Sequence, residues 1–294
     1  MSFELDAKKP EWLKIKLPGG GTYNRIKKRM RDNLLYTVCE EAHCPNIGEC
    51  WSMGTATFMI MGDLCTRGCR FCNVKSGKPV SGWLDHDEPE KVAHSVEAMR
   101  LEYVVITSVD RDDLPDGGAE HFAETIRAVK RRVPTVRVET LIPDFSGEID
   151  GLRRVLDARP DVLAHNIETV RRLTPRVRDP RATYDQSLEL LRRAKELAPT
   201  IYTKSSIMLG LGETDDEIRE AFADLRAVGV PLLTIGQYLR PSRKHLSVER
   251  YVSPASFEVY RQQALELGFQ FVASGPMVRS SYRAAELFIL SDRR

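Results

Sequence analysis

All six cysteines of this 294-residue chain fall between Cys39 and Cys72, and none occurs after Cys72. This grouping is typical of metal ligation, because structural thiols scatter along a chain. A disulfide framework is the alternative, but disulfides mainly stabilise small secreted domains. This chain is large, and residues 1–16 lack the apolar stretch of a secretory signal. The cysteines are therefore expected to bind metal.

The segment from Cys65 to Cys72 reads CTRGCRFC, a CxxxCxxC pattern that supplies three thiolates, from Cys65, Cys69 and Cys72. Iron–sulfur cubanes usually take four cysteines, so three leave one iron open to a ligand from outside the protein. An open metal position is typical of a reactive site. Zinc is the alternative, but no second CxxC pair or His-x-x-x-His completes a zinc site here. The pattern predicts a reactive iron–sulfur cluster.

A second triplet, Cys39, Cys44 and Cys50, lies upstream with the spacing CxxxxCxxxxxC. It again supplies three thiolates, so a fourth ligand must come from elsewhere. His43 is a local candidate, but it is adjacent to Cys44, and adjacent side chains rarely converge on one metal. No other cysteine remains, which points to an unusual fourth ligand.

Downstream of the cysteines, short apolar runs alternate with amphipathic stretches, as βα units require. The predicted strands are Ala56 to Met61, Tyr103 to Val109, Val136 to Ile142, Val162 to Ile167, Tyr202 to Leu209 and Leu232 to Tyr238. The predicted helices are Glu88 to Arg100, Ala119 to Arg132, Ile149 to Ala158, Tyr184 to Leu197, Asp215 to Val228 and Pro254 to Leu267. Six units are fewer than the eight of a closed barrel. The pattern predicts an α/β fold, a partial (β/α)6 TIM-type barrel.

Residues 1–55 are expected to form an N-terminal arm that carries the upstream triplet, 56–270 the barrel, and 271–294 a C-terminal tail. In such folds the reactive site lies at the carboxyl ends of the strands. Polar residues at these predicted ends include Thr107, Ser108, Asp110, Asn166, Glu168, Lys204, Ser205 and Gln237. Ordinary caps and loop positions are the alternative interpretation of each.

The overall charge indicates neither a nucleic acid nor a membrane partner. Lysine and arginine number 44 against 42 acidic residues, a formal net charge of +2, and no apolar run reaches the length of a membrane span. A basic run from Arg25 to Arg31 is interpreted as a solvated helix face, with a docking surface for an acidic partner as the alternative. We expect a cytoplasmic protein, in a reducing compartment.

The CxxxCxxC pattern, with Phe71 before its last cysteine and a position after the first barrel strand, resembles that of the radical S-adenosylmethionine (SAM) superfamily. The resemblance implies that the amino and carboxylate groups of SAM chelate the open iron. Reductive cleavage of the sulfonium needs a low-potential electron delivered by direct contact. Spacing alone would not establish that chemistry.

Several stretches in order along the chain resemble the lipoyl synthase family more closely, and the two cysteine triplets together separate it from most relatives of the same fold. They are TVCEEAHCPNIGECW, CTRGCRFC, TSVDRDDLPDGGA, HNIETV, MLGLGE, QYLRPS and RSSYRA. The resemblance implies two 4Fe-4S clusters, the second taking Ser281 of the RSSY motif as its fourth ligand. A helix cap near Tyr282 is the alternative role for these serines.

The family resemblance also implies a reaction. Two sulfur atoms would be inserted at C6 and C8 of an octanoyl group on the lysine of a lipoyl carrier domain, with the auxiliary cluster consumed as the sulfur source. A low-potential electron donor and a cluster-delivery protein are implied as partners. Other radical sulfur-inserting enzymes are the nearest alternative, and a zinc or redox-sensing scaffold is the alternative from another class.

Contacts to SAM follow from the resemblance less sharply. The Gly-Gly-Glu segment of the superfamily reads Gly117-Gly118-Ala119 here, so its glutamate is absent. Gly117 and Gly118 are still expected to contact SAM, and a plain loop before a helix is the alternative interpretation. Asn166, Glu168 and Lys204 are expected to contact the cofactor. Arg279 and Arg283 are candidates to receive carboxylates of the carrier, with solvated charges as the alternative.

Overall fold

The computed structural model describes residues 9–13, 21–33, 35–41, 44, 46–52, 57–80 and 82–281. Its strands are β1 (Tyr36–Thr37), β2 (Thr57–Ile60), β3 (Leu64–Cys65), β4 (Lys75–Ser76), β5 (Tyr103–Ser108), β6 (Arg137–Leu141), β7 (Val162–Ala164), β8 (Tyr202–Leu209), β9 (Leu232–Gln237) and β10 (Phe271–Gly275). Its α-helices are α1 (Gly21–Asp32), α2 (Val38–Glu41), α3 (Ile47–Ser52), α4 (Glu88–Ala98), α5 (Ala119–Arg132), α6 (Ile149–Asp157), α7 (Thr174–Val177), α8 (Tyr184–Leu197), α9 (Asp215–Ala227) and α10 (Pro254–Glu266). Short 3-10 turns cover Glu11–Leu13, Phe145–Gly147 and Arg171–Leu173.

The main sheet has eight strands in the order β1-β2-β5-β6-β7-β8-β9-β10. Every neighbouring pair from β2 to β10 is parallel, and β1 adds an antiparallel edge. Because β10 is hydrogen-bonded only to β9 in this order, the barrel is open rather than closed. The predicted partial α/β barrel is confirmed.

All six predicted strands and all six predicted helices are present, with ends that move by a few residues. The sequence analysis did not predict β1 or β10. The two residues of β1 are too few for a period-2 pattern, and β10 is partly exposed along most of its length. Since β10 extends the sheet, the barrel runs past the predicted boundary at residue 270.

Two features of the sequence explain why these elements form. The parallel strands are largely buried on both faces, and β2 and β9 are buried throughout. Helix α9 begins with a capping box in which Thr214 Oγ1 accepts from the Glu217 amide, and the Ser253 side chain caps α10, where Pro254 follows. These starts were predicted.

The N-terminal arm packs into the same hydrophobic core as the first barrel strands. Met30 of α1 and Trp51 of α3 are fully buried there, in contact with the cluster that contains Phe58 of β2. This packing fixes α2 and α3, which carry Cys39 and Cys50, beside the barrel. None of the helices within the described residues is long and apolar enough to span a bilayer.

Candidate active site

A cavity of about 520 Å³ lies at the carboxyl ends of the barrel strands. Strand ends line it, among them Thr107 and Ser108 of β5, Leu141 of β6, Ser206 and Met208 of β8, and Gly236 and Gln237 of β9. Five of the six cysteines also line it: Cys39, Cys44, Cys65, Cys69 and Cys72. The fold therefore brings all three cysteines of the Cys65 loop and two of the upstream triplet to one cavity.

The loop from Cys65 to Cys72 is held at the mouth of the barrel by its backbone. The Gly68 amide donates to Asp179 Oδ2 at 2.8 Å, and the Arg70 amide donates to the Val177 carbonyl at 2.9 Å. Three backbone amides point at sulfur, from Arg67 and Asp110 to Cys65 Sγ at 3.4 Å and from Asp179 to Cys69 Sγ at 3.3 Å. N–H donors to a sulfur stabilise it as thiolate.

Arg67 lies between the first two cysteines of this loop and holds the loop in place through salt bridges. Its side chain is only 3% exposed and donates to both oxygens of Asp144 at 2.6 Å. It also pairs with Asp112 at 2.8 Å and Asp110 at 3.3 Å. Burial raises the pKa of Asp110 to about 6 against the opposing charge of Arg67. The sequence analysis missed this network, although the acid-rich VDRDD stretch was its signal.

The thiols of the Cys65 loop lie close enough to repel one another as anions. Burial raises the pKa of Cys65 and Cys72 to about 12 and that of Cys69 to about 11. The charges of Cys69 and Cys65 raise the pKa of Cys72 further. A cation must therefore offset these charges if the three sulfurs are to be thiolates together.

The thiols of the upstream triplet also have raised pKa values. Burial raises the pKa of Cys50 to about 12, and the charges of Cys39 and Cys44 raise it further. Burial likewise raises the pKa of Cys39 to about 11. The spacing in sequence differs from that of the first triplet, but the result is the same: three buried thiols within electrostatic reach of one another.

The C-terminal segment returns to this triplet. Asn46, which lies between Cys44 and Cys50, is buried and donates from Nδ2 to the Met277 carbonyl at 2.6 Å. Ser281 and its neighbours Val278, Arg279 and Ser280 line the cavity. Ser281 thus lines the same cavity as Cys39 and Cys44 of the upstream triplet. Tyr282, Arg283 and His43 lie outside the described residues.

Each triplet fits a cubane better than a single ion. Among the residues that the structure describes, no three His, Cys, Asp or Glu side chains converge closely enough to hold one metal ion. A four-iron cubane is larger and places each thiolate on a different iron, so its ligands surround a volume rather than a point. Six free thiols are also the donor set that iron–sulfur clusters prefer.

Asn166 and Glu168 both line the cavity and present unused hydrogen-bonding capacity. Asn166 Nδ2 donates to Glu168 Oε1 at 3.0 Å, but Asn166 Oδ1 is buried without a partner. Glu168 has a left-handed backbone, with φ of 66°, and burial raises the pKa of its carboxyl. Strain and unmatched polar atoms in a non-glycine residue are typical of a ligand site.

Lys204 is not among the residues that line the cavity, so its position does not support the expected cofactor contact. Lys204 Nζ donates to Glu139 at 2.8 and 3.0 Å, and Tyr103 donates to the same carboxylate at 2.6 Å. Lys204 and Glu139 each precede by two positions a residue that lines the cavity, Ser206 and Leu141. They therefore lie on the same face of the sheet one layer deeper, as a buried ion pair.

Gly117 and Gly118 are likewise not among the residues that line the cavity. Gly118 has φ of 83°, and a Cβ there would lie 2.2 Å from Met61 Sδ. Glycine is required at this position by backbone conformation and packing at the start of α5. The geometry supports the alternative interpretation of this pair as a loop before a helix.

Comparison with known proteins agrees with the fold. Residues 59–225 match the family model described as the Radical SAM superfamily, and residues 4–44 match that of the N-terminal domain of lipoyl synthase. Among solved structures, the hydrogenase maturase HydG from Carboxydothermus hydrogenoformans superposes with a TM-score of 0.56 at 14% identity, over 92% of this chain and 70% of that one. Methylornithine synthase superposes with a TM-score of 0.55 at 15% identity, over 73% and 62%. An open barrel with CxxxCxxC at its mouth defines a radical SAM enzyme.

Closer relatives narrow the assignment. The lipoyl synthase of Deinococcus radiodurans is 59% identical over 99% of this chain and 87% of its own length. Those of Thermus thermophilus and Anaeromyxobacter sp. (strain Fw109-5) are 57% and 58% identical, over 99% and 98% of this chain and 90% and 97% of their own. The chain belongs to the lipoyl synthase family. Its reaction is therefore sulfur insertion into an octanoyl group held by a carrier, with SAM and 4Fe-4S clusters as cofactors.

Proposed function

We propose that the two cysteine triplets divide the work of this reaction within the shared cavity. Cys65, Cys69 and Cys72 would hold the cluster that binds SAM at its open iron. Cys39, Cys44, Cys50 and Ser281 would hold the auxiliary cluster that donates sulfur. When bound, the clusters supply the low-potential electron for sulfonium cleavage and the sulfur atoms that enter the product.

The observation that carries this proposal is the position of five of the six cysteines and of Ser281 on one cavity at the carboxyl ends of the strands. A radical formed on a substrate carbon must meet its sulfur donor before it meets water or solvent hydrogen. A shared cavity meets that requirement without release of the substrate.

The weakness of a serine ligand suits its proposed role. An alkoxide oxygen is a harder ligand than a thiolate and a poorer partner for an iron–sulfur cluster. Ser281 would therefore hold the auxiliary cluster more weakly than the three cysteines do. Asn46 and the segment after β10 would hold Ser281 in reach of that iron.

Asn166 and Glu168 are proposed to bind the SAM molecule. The buried Asn166 Oδ1 can accept from an ammonium or hydroxyl group, and the Glu168 carboxylate can do the same. The buried Ser108 hydroxyl, which also lines the cavity without a partner, is a further contact that the sequence analysis placed only at a strand end.

The carrier, the electron source and the cell compartment complete the proposal. A lysine-linked octanoyl chain from a lipoyl carrier domain would enter the cavity, a low-potential donor would reduce the first cluster, and a cluster-delivery protein would rebuild the second. Six free thiols are expected to survive only in a reducing compartment, which supports a cytoplasmic location.

Replacement of Ser281 by alanine tests the division of roles. We expect the variant to cleave SAM but to lose sulfur insertion into an octanoylated lysine peptide, measured by product mass. Ser280→Ala is the matched control, since Ser280 lines the same cavity one position away. The wild-type chain should bind about eight iron atoms, as two cubanes require. Full sulfur insertion by the Ser281→Ala variant would refute the role of Ser281.

A further inference from the structure

Arg279 is a partly buried cation that forms no salt bridge with a carboxylate among the described residues. Its side chain lines the cavity, and Nη1 donates to the Val278 carbonyl at 2.7 Å. Arg67 differs, because it pairs with three aspartates. A partly buried guanidinium that lines a cavity without a paired carboxylate is placed to meet negative charge there.

The upstream triplet is a source of negative charge beside this segment. Asn46, two positions after Cys44, donates to the carbonyl of Met277, two positions before Arg279, at 2.6 Å. Cys39 and Cys44 line the same cavity as Arg279. Three thiolates and a serine oxygen around a cubane would make a net anion on this side of the cavity.

We propose that Arg279 is the counter-charge of the auxiliary cluster. Its guanidinium offsets the anionic ligands and stabilises both the bound cluster and the segment that carries Ser281, two positions further along. The inference rests on the proposed function, since it assumes the auxiliary cluster. It adds a residue that stabilises this cluster without being one of its ligands.

The counter-charge role predicts that replacing Arg279 has different effects in the cluster-free and the cluster-loaded protein. Without the cluster, neutralising Arg279 removes a partly buried charge that pairs with no described carboxylate, so stability should be unchanged or higher. With the cluster, the same change leaves its anionic ligands without compensation. An arginine that only supports the fold would instead lower the stability of both forms.

The experiment uses a full-length background in which Cys65, Cys69 and Cys72 are all alanine, so that only the auxiliary triplet remains. Arg279→Gln, Arg279→Lys and the control Arg243→Gln are compared in it. Arg243 is an exposed arginine on the loop that follows Pro241 of the cavity rim, so its replacement changes net charge equally. The readouts are iron per chain, resistance to a chelator and the midpoint potential followed by electron paramagnetic resonance.

We expect Arg279→Gln to shift the midpoint potential to a more negative value, because the added electron loses a nearby positive charge. The chelator concentration that removes half of the iron should fall roughly tenfold or more, as for other groups that support a metal site. Arg279→Lys should lie between this variant and the parent, and Arg243→Gln should match the parent. Urea unfolding of cluster-free Arg279→Gln should show no loss of stability.

Three outcomes would overturn the role. Iron content and a midpoint potential that do not change in Arg279→Gln would refute the counter-charge role but not the proposed function. If the same variant also bound the octanoylated peptide more weakly, Arg279 would instead be assigned to a carrier carboxylate. A loss of stability in the cluster-free variant would make it a structural arginine. A parent that loads no iron would refute the auxiliary cluster itself, and the proposed function with it.

Discussion

Alanine at Gly236 is expected to uncouple cleavage of SAM from insertion of sulfur. Gly236 lies on β9, against the segment that leads to Ser281. A Cβ at this position would lie 2.1 Å from the Val278 carbonyl oxygen and 3.1 Å from its carbon. Both contacts are with backbone, so no side-chain rotation relieves them, and the segment itself must move.

The size of the movement follows from these distances. The Val278 carbonyl must retreat by roughly 1.3 Å to reach the 3.4 Å of an ordinary contact. Ser281 lies three positions further on and is expected to shift by a similar amount. A misplacement of about 1 Å in a reacting group can cost roughly 100-fold in rate. The stability cost of such overpacking is about 1–3 kcal/mol.

Two products are to be measured in the same single-turnover reaction with an octanoylated lysine peptide. We expect cleavage of SAM near the wild-type level and a loss of roughly 100-fold in lipoyl product. Gly275→Ala is the matched control. Gly275 pairs with Gly236 across β9 and β10, but its Cβ would meet only Val278 Cγ2 at an ordinary 3.5 Å.

The reasoning would be refuted if Gly236→Ala inserted sulfur as the wild type does, or if Gly275→Ala lost as much. Equal loss of both reactions in Gly236→Ala would indicate general damage to the cavity rather than displacement of Ser281. Iron analysis of each variant separates these cases, because a displaced serine affects the auxiliary cluster alone.

Lys204→Met leaves the buried Glu139 carboxylate without its cation, so the free energy of unfolding in urea should fall by about 3–5 kcal/mol. A weaker affinity for SAM with unchanged stability would contradict the structural role of the pair. Asn166→Ala removes the buried acceptor Oδ1 and should raise the Kd for SAM roughly tenfold in equilibrium binding to the cluster-loaded protein, whereas an unchanged Kd would exclude Asn166 from the cofactor site. His165 is buried, which lowers its pKa from 6.5 to about 4, so the folded state resists its protonation. Between pH 6.5 and pH 4 the unfolded state therefore binds more protons at His165 than the folded state does, so the free energy of unfolding falls as the pH drops from 6.5 toward 4. We expect a fall of about 2 kcal/mol between pH 7 and pH 5 in the cluster-free protein. His165→Gln should reduce that pH dependence in urea titrations, and an equal slope in both proteins would show that His165 is not its source.

The fit of the described site to its proposed chemistry depends on a few long-range contacts. The bond from Asn46 to the Met277 carbonyl joins residues 231 positions apart. It connects the arm that carries the upstream triplet to the segment that carries Ser281. The close approach of Val278 to Gly236 then holds this segment at the end of β9.

Local pattern was enough to determine the class of fold and the reactive chemistry. Alternation of apolar runs and amphipathic stretches predicted six βα units, because burial on both faces of a strand and on one face of a helix shapes composition directly. The two cysteine triplets predicted iron–sulfur chemistry, because ligand number and softness follow from residue type and spacing. The resemblance of the motifs to the lipoyl synthase family then supplied the reaction.

Only the tertiary structure decided how deep each polar side chain lies and which distant residues meet. Lys204 and Ser206 are two positions apart on one strand, yet one lies in a buried ion pair and the other lines the cavity. Depth in a barrel depends on strand register and on neighbouring strands, which no single stretch of sequence encodes. For the same reason, the sequence does not distinguish the surroundings of Arg67 from those of Arg279. Folding surrounds Arg67 with three aspartates and places Arg279 on the cavity that Cys39 and Cys44 also line.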